Sequence, residues 1–241
     1  MTLDSQTQAW LEQSRVAWDE RADMFNEMSS KNAAAADRKI ELDFVSGALG
    51  IQSGSRVLDA GCGAGHFAIA FAQRGYTVEG IDLSPEMIVR SRQNAADAGV
   101  EIELSVGSLL PLSAPDGAYD AIVSRMALQF LPHLSAVLDE FRRATASSGR
   151  LWLAVPGSLS PIYRHSWKRF LSDEPEPMNY VTPWELVRLL EEKGWTIEEQ
   201  WGSFDPIGDN AGNTAANVDV TTLPLPLQQA AATVWNVISG R

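Results

Sequence analysis

Three glycines at alternate positions, Gly61, Gly63 and Gly65, follow the apolar run Val57-Leu58-Asp59-Ala60 and precede a second one, Phe67-Ala68-Ile69-Ala70. Such a turn bends the chain sharply from a strand into a helix. It also lets a ligand approach main chain where a Cβ would collide. A carboxylate, Asp59, stands at the mouth of the first run, and a second, Asp82, closes Glu79-Gly80-Ile81-Asp82, 23 residues further on. An ionised carboxylate at that distance can accept both hydroxyl protons of a ribose diol. Turn and carboxylate together point to a nucleotide-type cofactor.

Two cofactor classes fit. A dinucleotide turn of the form G-x-G-x-x-G/A fails when begun at Gly61, because His66 occupies the last place, but matches when begun at Gly63, where Ala68 does. Asp59 argues the other way. A carboxylate at the mouth of the first strand repels a pyrophosphate, whereas S-adenosylmethionine carries an ammonium and a sulfonium and no phosphate. Charge favours the sulfonium cofactor and leaves a dinucleotide oxidoreductase as the alternative.

The elements that must position these residues alternate between period 2 and period 3.6, the pattern of a mostly parallel sheet covered by helices. Strands are expected at Arg56 to Ala60, Tyr76 to Asp82, Glu101 to Val106, Tyr119 to Ser124, Arg150 to Val155 and Trp195 to Phe204. Ser84 followed by Pro85 reads as a helix start, with Gly99 at its end; Thr182-Pro183-Trp184-Glu185 reads as a capping box closed by Gly194. The β-branched and aromatic run Thr233 to Ile238 predicts a last strand, with a short helix as the competing reading. Trp10, Ser14, Ala17, Trp18, Arg21, Ala22 and Phe25 recur at spacings of three and four, which predicts a helix before the first strand. The expected fold is therefore α/β: a doubly wound, mostly parallel, seven-stranded Rossmann-like sheet, with six parallel strands and one antiparallel. It forms a single domain, with a helical cover over 1–50, a cofactor core over 51–156, a substrate-covering insertion over 157–181 and the end of the sheet over 182–241.

In Val57-Leu58-Asp59-Ala60-Gly61-Cys62-Gly63-Ala64-Gly65 and Gly80-Ile81-Asp82-Leu83-Ser84-Pro85-Glu86-Met87 the chain resembles the class I S-adenosylmethionine-dependent methyltransferases. The likeness is to the group with a methyltransferase domain of the ubiquinone and biotin biosynthesis type. Tyr119-Asp120-Ala121-Ile122-Val123-Ser124 and Ser148-Gly149-Arg150-Leu151 reinforce it. The resemblance implies that Asp59 and the turn through Gly61, Cys62, Gly63 and Gly65 hold the methionine part of the cofactor. It implies that Asp82, with Leu83 beside it, holds the ribose, and that Met87 packs on the adenine. Ser124, ending the fourth strand, belongs to the same implied set. Members commonly carry an acidic residue after the third strand for the adenine amino group. Ser108 stands there instead, bringing a hydroxyl but no charge, and the Leu109 backbone N–H is the substitute donor.

Transfer of a methyl group to an acidic acceptor uses a base. His133, after the fourth strand, and His165, in the insertion after the fifth, are the catalytic candidates; His66, at the start of the first core helix, covers the cofactor edge or faces solvent. For each, an ordinary structural histidine is the competing reading. Trp167, Phe170, Tyr180 and Trp184 are candidates for an apolar acceptor pocket, or else for core. Ser124-Arg125-Met126-Ala127 replaces the Asn-Pro-Pro-Tyr box of amino-methylating nucleic-acid enzymes. A noncatalytic S-adenosylmethionine-binding protein is the third reading.

The 241 residues carry 19 Lys and Arg against 31 Asp and Glu, a formal charge of −12 that argues against nucleic acid as the partner and for a small-molecule methyl acceptor. The one cysteine, Cys62, forms no internal disulfide and no cysteine metal site, and no metal is expected. Met1 to Gln13 is polar, without the apolar stretch of a secretory signal, and apolar runs stay short of a membrane span, so a cytoplasmic protein is expected.

Overall fold

The computed structural model describes residues 3–33, 36–158, 160, 162–163, 166–167, 177–203, 224–225, 228–229 and 234–241. Two helices come first, α1 (Ser5–Ala33) and α2 (Ala36–Ala48). The core then alternates β1 (Arg56–Ala60), α3 (His66–Ala72), β2 (Thr77–Asp82), α4 (Pro85–Asp97) and β3 (Glu103–Val106). It continues through β4 (Tyr119–Arg125), α5 (Leu134–Ala144), β5 (Thr145–Pro156), α6 (Pro183–Glu192), β6 (Thr196–Ser203) and β7 (Val234–Gly240). The strands form one sheet in the order β3-β2-β1-β4-β5-β7-β6. β7 runs antiparallel to both its neighbours, β5 and β6, while the pairs among β1 to β5 are parallel. The strand order reverses between β1 and β4, and in open sheets of this kind the ligand crevice lies outside the carboxyl ends of the strands at that point.

Period-2 alternation sends successive residues to two buried faces. Leu58, Ile122, Leu153 and Val237 pack with Val137, Leu138 and Phe141 of α5 and Leu186 and Leu190 of α6. Their neighbours Val57, Val123, Trp152 and Ile238 pack on the other face with Phe71 of α3, Leu42 and Val45 of α2 and Leu49 just after it. Leu42 and Val45 of α2 are thus part of the core. Ser84 caps α4, its hydroxyl accepting from the Met87 N–H at 3.1 Å, and Pro85 takes the first turn. The Thr182–Glu185 capping box forms, with the Thr182 N–H donating to Glu185 at 2.8 Å.

Two strands start more than one residue away from where the sequence predicts. β5 starts at Thr145, not Arg150, because its register against β4 slips between Tyr119↔Thr145 and Ala121↔Arg150. Gly149 permits the bulge: a Cβ there would sit 2.9 Å from the Asp120 carbonyl oxygen. β3 begins two residues late, at Glu103. The last run is a strand and not a helix, fully buried over Val234–Gly240. Thr233 and Phe204 lie outside the described residues. Among those described, no helix is long and apolar enough to cross a membrane, and no cluster of His, Cys, Asp and Glu is built to hold a metal.

Candidate active site

A cavity of about 300 Å³ opens at the carboxyl ends of β1, β2 and β4, at the reversal in strand order. The glycine turn forms its floor, and its three glycines are needed for three different reasons. All have positive φ, 80° at Gly61, 53° at Gly63 and 81° at Gly65. A Cβ at Gly61 would lie 2.5 Å from that of Ala127, one at Gly63 would press at 3.3 Å on the Phe25 ring, and one at Gly65 would collide with Ser91 of α4. Gly61 and Gly63 line the cavity. Gly65 does not; it lets α3 start close against α4.

Asp59 and Asp82 both line the cavity, in different states. Asp82 is pinned by main chain: one carboxylate oxygen accepts the Gly63 N–H at 2.8 Å, the other the Ser84 N–H at 2.9 Å. Burial raises its pKa, opposed by those N–H bonds. Asp59 is only 3% exposed, and its Oδ2 is buried with no hydrogen-bond partner. Burial pushes its pKa to about 7, partly offset by the Ala68 N–H. A buried carboxylate oxygen without a partner is costly unless a ligand supplies a cation or donor. S-adenosylmethionine carries an ammonium of that kind, so the residues fit the cofactor.

Cys62, Leu83, Met87, Ser108 and Leu109 also line the cavity. Burial raises the Cys62 thiol pKa well above its usual value, keeping it neutral. The Ser108 hydroxyl is already used, donating to the Leu110 carbonyl at 2.8 Å and accepting the Leu110 N–H at 3.0 Å. Ser124 lies outside the lining: it is wholly buried, and its hydroxyl donates to the Ala60 carbonyl at 2.8 Å, tying β4 to the end of β1.

The opposite wall comes from α1 and from the chain after β4. Leu11, Ser14, Trp18, Phe25 and Met28 face the cavity at helical spacing, with Trp18 edge-on to Phe25 and Phe130 at centroid distances of 5.4 and 4.9 Å. A row of polar contacts fixes α1 against α4: Ser84 Oγ donates to Asp19 at 2.5 Å, Arg90 pairs with Asp23 at 2.6 Å and Asn94 donates to Asn26 at 2.8 Å. The Trp10 indole donates to the Phe130 carbonyl at 2.8 Å. Met126, also in the lining, has the left-handed φ of 59°, a strained value for a side-chain-bearing residue. Its N–H bonds the Ala154 carbonyl at 2.9 Å and its carbonyl accepts from the buried Gln129 amide at 2.8 Å.

The lining reaches Phe130 and Leu131 but not His133. His133 caps α5 with φ 50°, and that backbone turns its ring toward α1, where Nε2 lies 2.8 Å from the Thr7 hydroxyl. His165 and Phe170 lie outside the described residues. Trp167 and Trp184 face solvent, and Tyr180 stacks edge-on against Tyr163, so these aromatics do not wall the cavity. His66 does line it, half-buried beside Ser30 at 3.5 Å, with its pKa lowered by burial. The sequence reading also missed Arg125, Met126 and Phe130. Their signal was position alone, at or just after the end of a fourth strand in a sheet whose order reverses there.

Residues 27–200 match the family model described as a methyltransferase domain. The chain is 28% identical over 211 residues to the ubiquinone biosynthesis O-methyltransferase of Xylella fastidiosa strain M23, covering 80% of this chain and 81% of the relative. It is 37% identical over 163 residues to the malonyl-[acyl-carrier protein] O-methyltransferase of Pectobacterium atrosepticum, covering 64% and 61%. The fold matches a SAM-dependent methyltransferase from Aquifex aeolicus with a TM-score of 0.59 at 17% identity, covering 83% of this chain and 88% of that one. Taken with a floor suited to a cationic cofactor, these likenesses set the dinucleotide alternative aside: the chain belongs to the methyltransferase-domain family and is an S-adenosylmethionine-dependent methyltransferase.

Proposed function

We propose that the protein methylates an oxygen of a small, largely apolar acceptor. The observation that carries this is the α1 wall: Leu11, Trp18 and Phe25, with Phe130 packed edge-on against Trp18, turn a cofactor cleft into a cavity of about 300 Å³ with apolar sides. Such a chamber excludes water and suits a small apolar body. The choice of oxygen rests on the relatives, two of which are named O-methyltransferases. The bound cofactor supplies an electrophilic methyl on its sulfonium.

The chain's own groups divide the remaining work. Asp59 meets the cofactor's ammonium through its unpartnered oxygen, and Asp82, already oriented by Gly63 and Ser84, accepts the ribose hydroxyls. Cys62, Gly61 and Gly63 give the turn its close approach, with Gly65 and Ser124 setting its position from behind. Leu83, Met87 and Leu109 pack around the base, where the Ser108 hydroxyl is committed to Leu110. The covering role falls to α1, and Ile162 is the described residue of the 157–181 segment that reaches the lining. A cytoplasmic location, with no nucleic-acid partner, completes the reading and rests on the net charge of −12 and the single cysteine.

Incubation with methyl-labelled S-adenosylmethionine and a panel of small phenols and carboxylic acids should yield an O-methyl product by mass spectrometry. Tight cofactor binding with no product across the panel would instead identify a noncatalytic binding protein. Label confined to nucleic acid or protein would exclude the small acceptor.

A further inference from the structure

Thr7 and Ser14 both bury a hydroxyl on α1, and the two differ in what it meets. The Thr7 hydroxyl donates to Asp4 at 3.0 Å and lies 2.8 Å from His133 Nε2. The Ser14 hydroxyl, on a residue only 4% exposed, has no hydrogen-bond partner. It does not take the carbonyl four residues back, as a serine within a helix can and as Ser30 does with Asn26 at 2.8 Å. A buried hydroxyl left unpaired is costly unless a ligand supplies the missing partner. Asp59 presents the same situation on the floor, and there the cofactor's ammonium answers it.

Ser14 belongs to the cavity lining, on the stripe Leu11, Ser14 and Trp18, whose spacings of three and four put all three on one side of the helix. Its place along α1 sets what it faces. Trp10, four residues earlier, is tied to Phe130 after β4, and Asp19, five residues later, to Ser84 after β2. β1 lies between β4 and β2 in the sheet, so α1 passes over the end of β1 between those two ties, and Ser14 stands midway. The floor beneath holds Asp59 and Asp82, which the cofactor engages. On the wall above them, with Leu11 and Trp18 one turn to either side, Ser14 brings a buried polar group for the second ligand.

We propose that the Ser14 hydroxyl bonds an oxygen of the methyl acceptor and so selects, among small apolar molecules, those that carry an uncharged hydroxyl. The proposal rests on the methyltransferase reading of the same cavity and names the polar group that reading leaves open. A serine hydroxyl donates one hydrogen bond and accepts others, which matches the donor and acceptor of a phenol or alcohol. Held by that bond, the acceptor's apolar body packs on Leu11, Trp18 and Phe130.

Calorimetric titrations with adenosylhomocysteine saturating would compare para-cresol with para-xylene, in which a methyl group replaces the hydroxyl at nearly constant shape. Ser14→Ala should weaken para-cresol roughly three- to tenfold, the worth of one neutral hydrogen bond, and leave para-xylene within twofold. This double difference cancels the greater hydrophobicity of the xylene. The variant should also bind adenosylhomocysteine within twofold of the native protein and, ligand-free, melt no lower, since alanine gives up no bond there and favours the helix. The proposal is overturned if para-cresol does not bind the native protein, or if Ser14→Ala shifts both probes alike or neither. It is equally overturned if the variant melts several degrees lower, which makes the hydroxyl structural, or loses adenosylhomocysteine affinity beyond twofold, which gives it to the cofactor. Failure of the native protein to bind adenosylhomocysteine would reject the reading of the cavity itself, and this assignment with it.

Discussion

On the β1 and β2 side of the cavity, the polar groups are main-chain amides and two carboxylates, Asp82 fixed to them and Asp59 buried beside them; on the β4 side the lining is aromatic rings and the Arg125 guanidinium, contributed by α1, α3, the end of β4 and the chain after it. The first side is assembled from one strand–turn–helix and the strand after it, so its geometry is set locally. The second is assembled from segments more than a hundred residues apart, such as Trp18 against Phe130. A side built on backbone can serve a constant ligand. A side built on side chains can change its ligand by substitution while the floor stays the same, which is how one fold hosts many acceptors.

The division is broken most directly at Asp82. Replacing it by Ala removes the acceptor of the Gly63 and Ser84 N–H groups as well as the ribose contact, each a hydrogen bond to a charged group worth about 1.5–3 kcal/mol. Adenosylhomocysteine affinity by calorimetry should fall roughly 100-fold or more. An unchanged affinity in a folded variant would remove Asp82 from the cofactor side.

Asp59 sharpens the comparison because function and stability should move in opposite directions there. Its folded pKa of about 7 stands above the ordinary 3.8, so the folded protein holds the proton more tightly than the unfolded chain. That contribution to stability is present below 3.8 and is lost as pH rises through about 7. Asp59→Asn should therefore raise the melting temperature of the ligand-free protein at pH 7. The same change should weaken adenosylhomocysteine roughly tenfold, since the ammonium loses its counter-charge. In the native protein, affinity should rise as pH goes from 5.5 to 7, and in the variant the slope should flatten. A variant with both lower stability and an unchanged slope would show that the carboxylate is structural.

On the opposite side, Trp18→Leu removes two edge-on ring contacts while leaving the floor untouched. A loss of about 1 kcal/mol, roughly fivefold in acceptor KM, is expected, with adenosylhomocysteine affinity within twofold. An equal loss for both ligands would mean that the two sides are not separable.

This difference between the sides also decides what was legible in the sequence. The turn, Asp82 at the end of β2, the Ser84 cap and the capping box at Thr182 are local patterns, and each stands where its spacing predicts. The helix before β1 was equally plain from its three-and-four spacing, and Ser14, Trp18 and Phe25 of that stripe do face the cavity. What escaped was any contact needing knowledge of which segments meet. His133 read as a pocket residue because it follows β4, yet its left-handed backbone sends the ring to Thr7. Trp167 and Trp184 read as pocket aromatics from composition and face solvent. Arg125 carried no pattern at all, since a lone arginine after a strand acquires meaning only from the walls around it.

The smallest effect is expected at Ser108, and it tests whether the floor works through main chain as a whole. The hydroxyl sits in the lining where the family resemblance implies a carboxylate, but its one hydrogen goes to the Leu110 carbonyl and its oxygen takes the Leu110 N–H. With both bonds internal, it has little left for an adenine amino group beyond a second lone pair. Ser108→Ala should cost about 1 kcal/mol of stability through the lost turn bonds, and less than threefold in adenosylhomocysteine affinity. Ser108→Asp should tighten binding modestly, because a carboxylate accepts from the amino group more strongly than a hydroxyl does. Calorimetry on both variants against adenosylhomocysteine and its inosine counterpart, which lacks the amino group, reads this out. If Ser108→Ala lost affinity tenfold for the adenine ligand and not for the inosine one, the hydroxyl would be the base-reading group, and the floor would depend on side chains just as the wall does.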